Sequence, residues 1–216
     1  MSSSVNKPIL FSYWRSSCSW RVRIALELKH IPYEYRPVNL LKREQVDPEF
    51  LKLNPLGFVP AFLHNGEALS QSLAIIEYLD ESFPDSPQLI RGTPAERAQI
   101  RSLALILIAD TQPVQNLAVL KHHGGENDEK KQQWAKHFIE RGLRALEKQL
   151  EKTAGKYSFG DKLSLIDVCI PPQVYNARRF KVEMNQFPII NRIDGALAEI
   201  AEFGKAAAQN QPDAVI

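Results

Sequence analysis

Cysteine is scarce: the 216 residues contain two, Cys18 and Cys169. Two thiols are too few for a disulfide framework and suit a reducing compartment, so a cytoplasmic chain is expected. No Cys/His spacing resembles a zinc site, and no metal is expected. His122-His123 stand before Gly124-Gly125, where they read as the end of a helix. No apolar run approaches the roughly 20 residues that a membrane span needs. The opening Met-Ser-Ser-Ser-Val-Asn-Lys-Pro has no charged region leading into an apolar stretch, so no signal peptide is expected. Charge of one sign is missing too: 27 Lys and Arg stand against 25 Asp and Glu, a net +2. The signs are mixed, as in Lys42-Arg43-Glu44, which reads as solvated surface and not as a nucleic-acid face. Repeats and low-complexity segments are absent.

What is present is ordinary globular material, 44% hydrophobic and 24% charged, enough for one large domain or two small ones. The two halves follow different patterns. Residues 8–13 are short, apolar and aromatic, a buried strand. Residues 19–30 carry a helical cluster of Val22, Ile24, Ala25, Leu26 and Leu28, closed by Ile31-Pro32. Residues 33–38 alternate and complete a β-α-β unit, whose right-handed crossover makes the two strands parallel. Asp47-Pro48 opens a short helix through Leu53. Residues 60–64 and 67–69 flank Asn65-Gly66, a strong hairpin signal, and residues 71–83 return to helical spacing. The order β-α-β-α-β-β-α is that of an α/β thioredoxin-like domain, expected over residues 1–84.

Residues 84–92, with Pro84, Pro87 and Gly92, read as a linker. Thr93 is an N-cap with Pro94 at the first helical position. Beyond it the chain reads as an all-α domain over residues 93–216, with helices at about 95–110, 129–152 and from Ser164 onward. Ser164 and Asp167 have capping-box spacing, with Asp in the usual Glu/Gln place.

The chemistry gathers where the first helix begins. A helix N-terminus exposes unpaired N–H groups and a partial positive charge. Ser16, Ser17, Cys18 and Ser19 crowd that point, with Arg15 and Arg21 nearby. Such a turn can hold an anion or a thiolate, and it can also be no more than a cap, which Ser19 alone would supply. A dithiol pair is excluded within the motif, because positions 15 and 21 are arginine. Cys18 remains open as a single nucleophile. Val59-Pro60 opens a strand, Gln71-Ser72 opens the third predicted helix, and Gln112, Gln115 and Asn116 follow Asp110 at the end of an apolar run. Plain capping is the competing reading for Ser72, and surface polarity for the group after Asp110.

The segment 16–26, Ser-Ser-Cys-Ser-Trp-Arg-Val-Arg-Ile-Ala-Leu, resembles the signature of zeta-class glutathione transferases, a family also called maleylacetoacetate isomerases. Asn54-Pro55, Val59-Pro60, the segment 71–79, the segment 112–117 and Ala177-Arg-Arg-Phe-Lys-Val182 come in family order, so the resemblance spans nearly the whole chain. It implies the two-domain glutathione transferase fold, glutathione as cofactor, and a cytoplasmic homodimer without nucleic-acid or membrane partners. It implies that Ser16 hydrogen-bonds the glutathione sulfur, with Ser17 and Cys18 completing the catalytic turn. Val59, beside Pro60, is implied to meet the cysteinyl part through its backbone, and the Val59-Pro60 bond to be cis. Gln71 and Ser72 would hold the γ-glutamyl end, while Gln45, Gln112 and Asn116 would add contacts. Arg15 and Arg179 would meet a diketo-acid substrate, with Arg178 the rival for the second place.

The implied reaction is glutathione-dependent cis–trans isomerisation of maleylacetoacetate to fumarylacetoacetate, in tyrosine and phenylalanine catabolism. One alternative is a general glutathione transferase acting on electrophiles or α-haloacids. A non-enzymatic assembly domain and a monothiol redox protein centred on Cys18 are further rivals.

Overall fold

A computed structural model describes residues 7–215; residues 1–6, on which the signal-peptide expectation falls, and residue 216 lie outside the described residues. The chain divides into two compact units, Met1–Gln88 with Ala201–Ile216, and Leu89–Ile200. The change of unit falls between Gln88 and Leu89. The last sixteen residues, expected in the all-α domain, are grouped with the first unit instead.

The first unit is built on a four-stranded sheet in the order β2-β1-β3-β4. β1 (Ile9–Ser12) pairs parallel with β2 (Glu34–Pro37) and antiparallel with β3 (Ala61–His64). β4 (Glu67–Ser70) closes the hairpin on β3. The Asn65-Gly66 turn has φ of 52° and 85°, so both central residues take the left-handed conformation that this dipeptide favours.

α1 (Ser17–Leu28) crosses from β1 to β2 and is buried on almost every side, with Val22, Ile24, Ala25 and Leu26 fully inaccessible. It ends before the expected Ile31-Pro32. His30 turns left-handed at φ 53°, and Ile31 N–H closes back on Leu26 O at 3.0 Å. α2 (Pro48–Leu53) and α3 (Ser72–Ser82) complete the expected order. Lys29, just past α1, pairs with Asp80 of α3 at 2.6 Å in a buried ion pair, and also donates to Ser86 Oγ and Pro87 O.

The C-terminal segment joins this unit through α9 (Ala201–Ala206), which packs along α1. The attachment is polar as well as apolar. Arg23 of α1 is fully buried and every guanidinium nitrogen is used: Nε donates to Ala206 O, Nη1 to Ser12 Oγ and Tyr13 O, and Nη2 to Trp14 O. Burial lowers the Arg23 pKa to about 10, so it stays charged at neutral pH.

The second unit carries α4 (Pro94–Ile108), α5 (Leu117–Gly124), α6 (Asp128–Thr153), α7 (Ile170–Arg179) and α8 (Pro188–Ala198). Among the described residues it has no β-strand, only an isolated bridge between Ala154 and Gly160. Thr93 caps α4 with Pro94 in its first turn, as the sequence predicts, and a full capping box with Glu96 is added. α5 ends at Gly124 after the two histidines. Leu107 of α4, Ile139, Leu143 and Leu146 of α6, and Ile193 of α8 are fully buried. A Cβ on Gly142 would lie 1.9 Å from Thr111 Oγ1, so glycine sets how closely α6 passes the residue before Gln112.

One helix starts later than expected. Residues 165–169 form turns, with Cys169 N–H reaching Ile166 O, and α7 begins only at Ile170. Pro171 and Pro172 sit in its first turn, where their missing N–H groups cost nothing. Asp167 accepts Ser164 N–H and Oγ and Ser158 N–H, so the predicted pair forms on a turn rather than on a helix.

Candidate active site

The sheet register brings three of the predicted segments of the first unit to one end of the strands. Phe11, Ala61 and Ser70 stand side by side across β1, β3 and β4. Just past that line come the turn at residues 13–16, the Val59-Pro60 bond and the Gln71-Ser72 corner. Val59 and Tyr13 share a buried cluster with Val38, Phe50 and Ala61. The Val59-Pro60 bond is cis.

At the turn, Ser16 N–H donates to Tyr13 O at 2.9 Å. Ser16 is extended, at φ −68° and ψ 117°, and its Oγ accepts Ser19 N–H at 3.3 Å. The cap is therefore Ser16, three residues ahead of the predicted helix start, and Ser19 is buried in the first turn of α1. With its oxygen occupied as an acceptor, the Ser16 hydroxyl has its proton left to give. Ser17 is buried, Cys18 is half-buried, and both cysteines are thiols. The Arg15 guanidinium lies over the Trp14 ring, 5.3 Å from its centre.

α3 starts differently. Gln71 is left-handed at φ 72°, and its side chain makes no capping hydrogen bond. A non-glycine residue held there stores backbone strain, a pattern that clusters at functional sites. The buried Ser72 receives a hydrogen bond from Arg21 Nη1 at 3.2 Å, and the same nitrogen is 3.8 Å from Cys18 Sγ. One guanidinium thus ties the start of α1 to the start of α3.

Gln45 lies in a 3-10 turn (Glu44–Val46), and its Oε1 is buried with no hydrogen-bond partner. Gly57, at φ 63°, lets the chain pass close by: a Cβ there would be 3.1 Å from Gln45 O.

The helical unit holds the remaining predicted residues. Gln112 lies beyond the end of α4 and is half-buried. Asn116 caps α5, its Oδ1 accepting Ala118 N–H at 3.0 Å. Gln115 is buried and bonded to Gln173 at 2.8 Å. At the end of α7, Arg178 pairs with Asp194 at 2.8 Å, whereas the exposed Arg179 lies 5.0 Å from the Phe180 ring centre.

Sequence reasoning missed three contributors, namely Arg23, Tyr35 and Asp213. Asp213 accepts Trp14 N–H and the Tyr35 hydroxyl, just ahead of the serine turn. The signal for Arg23 was its place inside the apolar run Trp20-Arg-Val-Arg-Ile24, where a solvated charge has nowhere to go.

A thioredoxin-like unit with a serine-capped helix at the sheet edge, followed by a helical unit, defines the glutathione S-transferase class. The model of the glutathione S-transferase N-terminal domain matches residues 7–81, and that of the C-terminal domain matches residues 111–200. A probable maleylacetoacetate isomerase 2 of Drosophila melanogaster is 49% identical over 214 residues, covering 98% of this chain and 92% of that one. A bacterial maleylpyruvate isomerase of the zeta class superimposes with a TM-score of 0.91 at 39% identity, covering 96% of this chain and all of that one. The maleylacetoacetate isomerase of Anaeromyxobacter dehalogenans, solved with glutathione in its active site, gives 0.88 at 41% identity, covering 97% and 98%. The chain belongs to the zeta-class, or maleylacetoacetate isomerase, family of glutathione S-transferases.

Proposed function

We propose that this chain is a glutathione-dependent isomerase that converts maleylacetoacetate to fumarylacetoacetate, a step of tyrosine and phenylalanine catabolism. The observation that carries the proposal is the Ser16 hydroxyl, set as the N-cap at the head of α1 with its oxygen accepting Ser19 N–H, so that it remains able to donate.

The residues fit the cofactor. Glutathione is a tripeptide with two carboxylates, an ammonium and amide N–H groups. The first unit offers an unpartnered buried acceptor at Gln45 Oε1, a helix start at Ser72 without a side-chain cap, and unpartnered guanidinium nitrogens on Arg21. When bound, glutathione supplies a thiolate that adds reversibly to the conjugated double bond, so that the bond can turn.

Ser16 would donate a hydrogen bond to the sulfur and so favour the thiolate, and the positive end of α1 acts in the same direction. One unit of thiol pKa corresponds to about 1.4 kcal/mol, which a hydroxyl donor and a helix terminus together can supply. Ser17 and Cys18 complete the turn, with Cys18 a neighbour of the chemistry rather than its nucleophile. The Val59 backbone, beside Pro60, takes the cysteinyl part, while Gln71 and Ser72 take the γ-glutamyl end. Gln45, Gln112 and Asn116 add hydrogen bonds, Asn116 through its amide NH2 because its oxygen is committed to the cap. Arg15 and Arg179 meet the carboxylate and the developing oxyanion of the diketo acid.

The family resemblance supports a homodimer in the cytoplasm. No single helix among the described residues is long and apolar enough to cross a membrane. The decisive experiment is turnover of maleylacetoacetate, or of maleylacetone in its place, with and without glutathione. Turnover that needs glutathione supports the scheme; isomerisation without it would sink the scheme. Faster turnover of α-haloacids than of the maleyl substrate would favour the general transferase instead.

A further inference from the structure

Three cations of the α1 region are buried, and two of them are fully engaged. Arg23 spends its guanidinium on Ala206, Ser12, Tyr13 and Trp14, and Lys29 is paired with Asp80. Arg21 is different. It is 1% exposed, yet Nε and Nη2 have no hydrogen-bond partner, and it makes no ion pair among the described residues. Its Nη1 alone is used, on Ser72 Oγ and Cys18 Sγ. A buried charge without a counter-charge is costly and is retained where an anion arrives to meet it.

Hydrogen-bond directionality says where that anion belongs. A guanidinium only donates, so Ser72 Oγ must accept from Arg21. The Ser72 proton is then left to be donated, at a helix start whose N–H groups receive no side-chain cap. The hydroxyl, the open N–H groups and the charge of Arg21, whose Nη1 is 3.2 Å from Ser72 Oγ, belong to the same helix start, and a carboxylate there satisfies all three.

We propose that Arg21 is a positioning residue for the α-carboxylate of an amino-acid ligand. It fixes Ser72 as a donor and supplies the buried countercharge from beneath, without forming part of the exposed wall. The proposal rests on the reading above that glutathione binds this unit, whose γ-glutamyl end carries that carboxylate.

The test uses the full chain, with glutathione and its analogue lacking the γ-glutamyl α-carboxylate, in equilibrium binding and thermal melts. Arg21→Met keeps the apolar stem and removes the charge. The expected result is a glutathione Kd raised by about tenfold or more, with the analogue Kd changed less than about twofold. The melting temperature without ligand should hold or rise, because an uncompensated charge has been removed, whereas Arg23→Met should lower it. Arg21→Lys keeps a charge and should recover part of the affinity for glutathione alone. If Arg21→Met fails to fold, Arg21→Lys against the two ligands decides by itself: an affinity loss shared equally by both overturns the proposal. Unchanged glutathione binding in a folded Arg21→Met overturns it too. If the unsubstituted protein does not bind glutathione, the functional reading fails as well, so the two failures are told apart.

Discussion

Asp213 accepts the backbone N–H of Trp14 at 3.0 Å across 199 residues of chain, and its other oxygen accepts the Tyr35 hydroxyl at 2.5 Å. Arg23 grips the same stretch from the other side, through Ser12, Tyr13 and Trp14. The segment that ends in the Ser16 turn is therefore suspended between α1 and the C-terminal end of the chain. Asp213→Ala strands the Trp14 N–H and the Tyr35 hydroxyl, at a cost of about 1–3 kcal/mol. The expected outcome is a lowered melting temperature together with a several-fold loss of kcat/KM, since the turn loses its footing. Asp213→Asn retains an acceptor for Trp14 and should restore most of both. Unaltered melting and turnover in Asp213→Ala would remove this role.

Ser16 combines a cap with a proton donor, and the two roles separate by substitution. Ser16→Ala loses both: about 1 kcal/mol of stability and, by the scale of lost oxyanion-type donors, about a hundredfold or more in turnover. Ser16→Gly gives up little capping, because glycine is a tolerated N-cap, yet should lose turnover as fully. Cys18→Ala should keep a large share of the isomerase rate. Steady-state kinetics beside thermal melts check all three. A dead Cys18→Ala with an active Ser16→Ala would reverse the roles.

Where local chemistry determines structure, the sequence was informative. Asn65-Gly66 set the hairpin, Thr93 with Pro94 set the start of α4, and the period of Val22 to Leu28 set α1. Consecutive serines defeated the same method, because Ser16 and Ser19 are equally good caps by type and only the backbone angles separate them. Helix onset at Ser164 was overestimated, since Pro171 and Pro172 suit only the first turn of a helix and so place its start at Ile170. The long-range polar contacts were invisible. Asp213 with Trp14, and Arg23 with Ala206, are single hydrogen bonds between distant segments and leave no periodicity to find. For that reason nothing in the sequence pointed to the grouping of the C-terminal residues with the first unit.

Arg178 and Arg179 are adjacent, and the function proposed above gives them different work. Arg178 is paired with Asp194 but is more than half exposed, so the pair contributes at most about 1 kcal/mol. Arg178→Ala should shift the melting temperature slightly and leave KM for the acid substrate within about twofold. Arg179→Ala should raise that KM by about tenfold or more, with glutathione binding nearly unchanged. Substrate-series kinetics with a maleyl acid and its methyl ester give the check: the ester should be insensitive to Arg179. Equal losses in the two variants would leave neither arginine with a special part.

His64, at the end of β3, offers a pH signature of the fold itself. It is 6% exposed, its Nδ1 is 2.8 Å from the Tyr78 hydroxyl, and its ring stacks on Phe83 with centres 5.6 Å apart. Nε2 is buried without a partner, so a proton there would have nothing to bond. Burial accordingly holds the His64 pKa below its usual 6.5. The unfolded chain takes up this proton at a higher pH than the folded one. Stability from this group is thus complete above about pH 6.5 and is lost as pH falls through the window down to the depressed value. His64→Phe keeps the packing against Phe83 and removes the titration. Urea midpoints at about pH 7.5 and pH 5.5 should fall further for the unsubstituted protein than for His64→Phe. An equal fall in both would mean that the imidazole finds, in the fold, as good a home for its proton as in water.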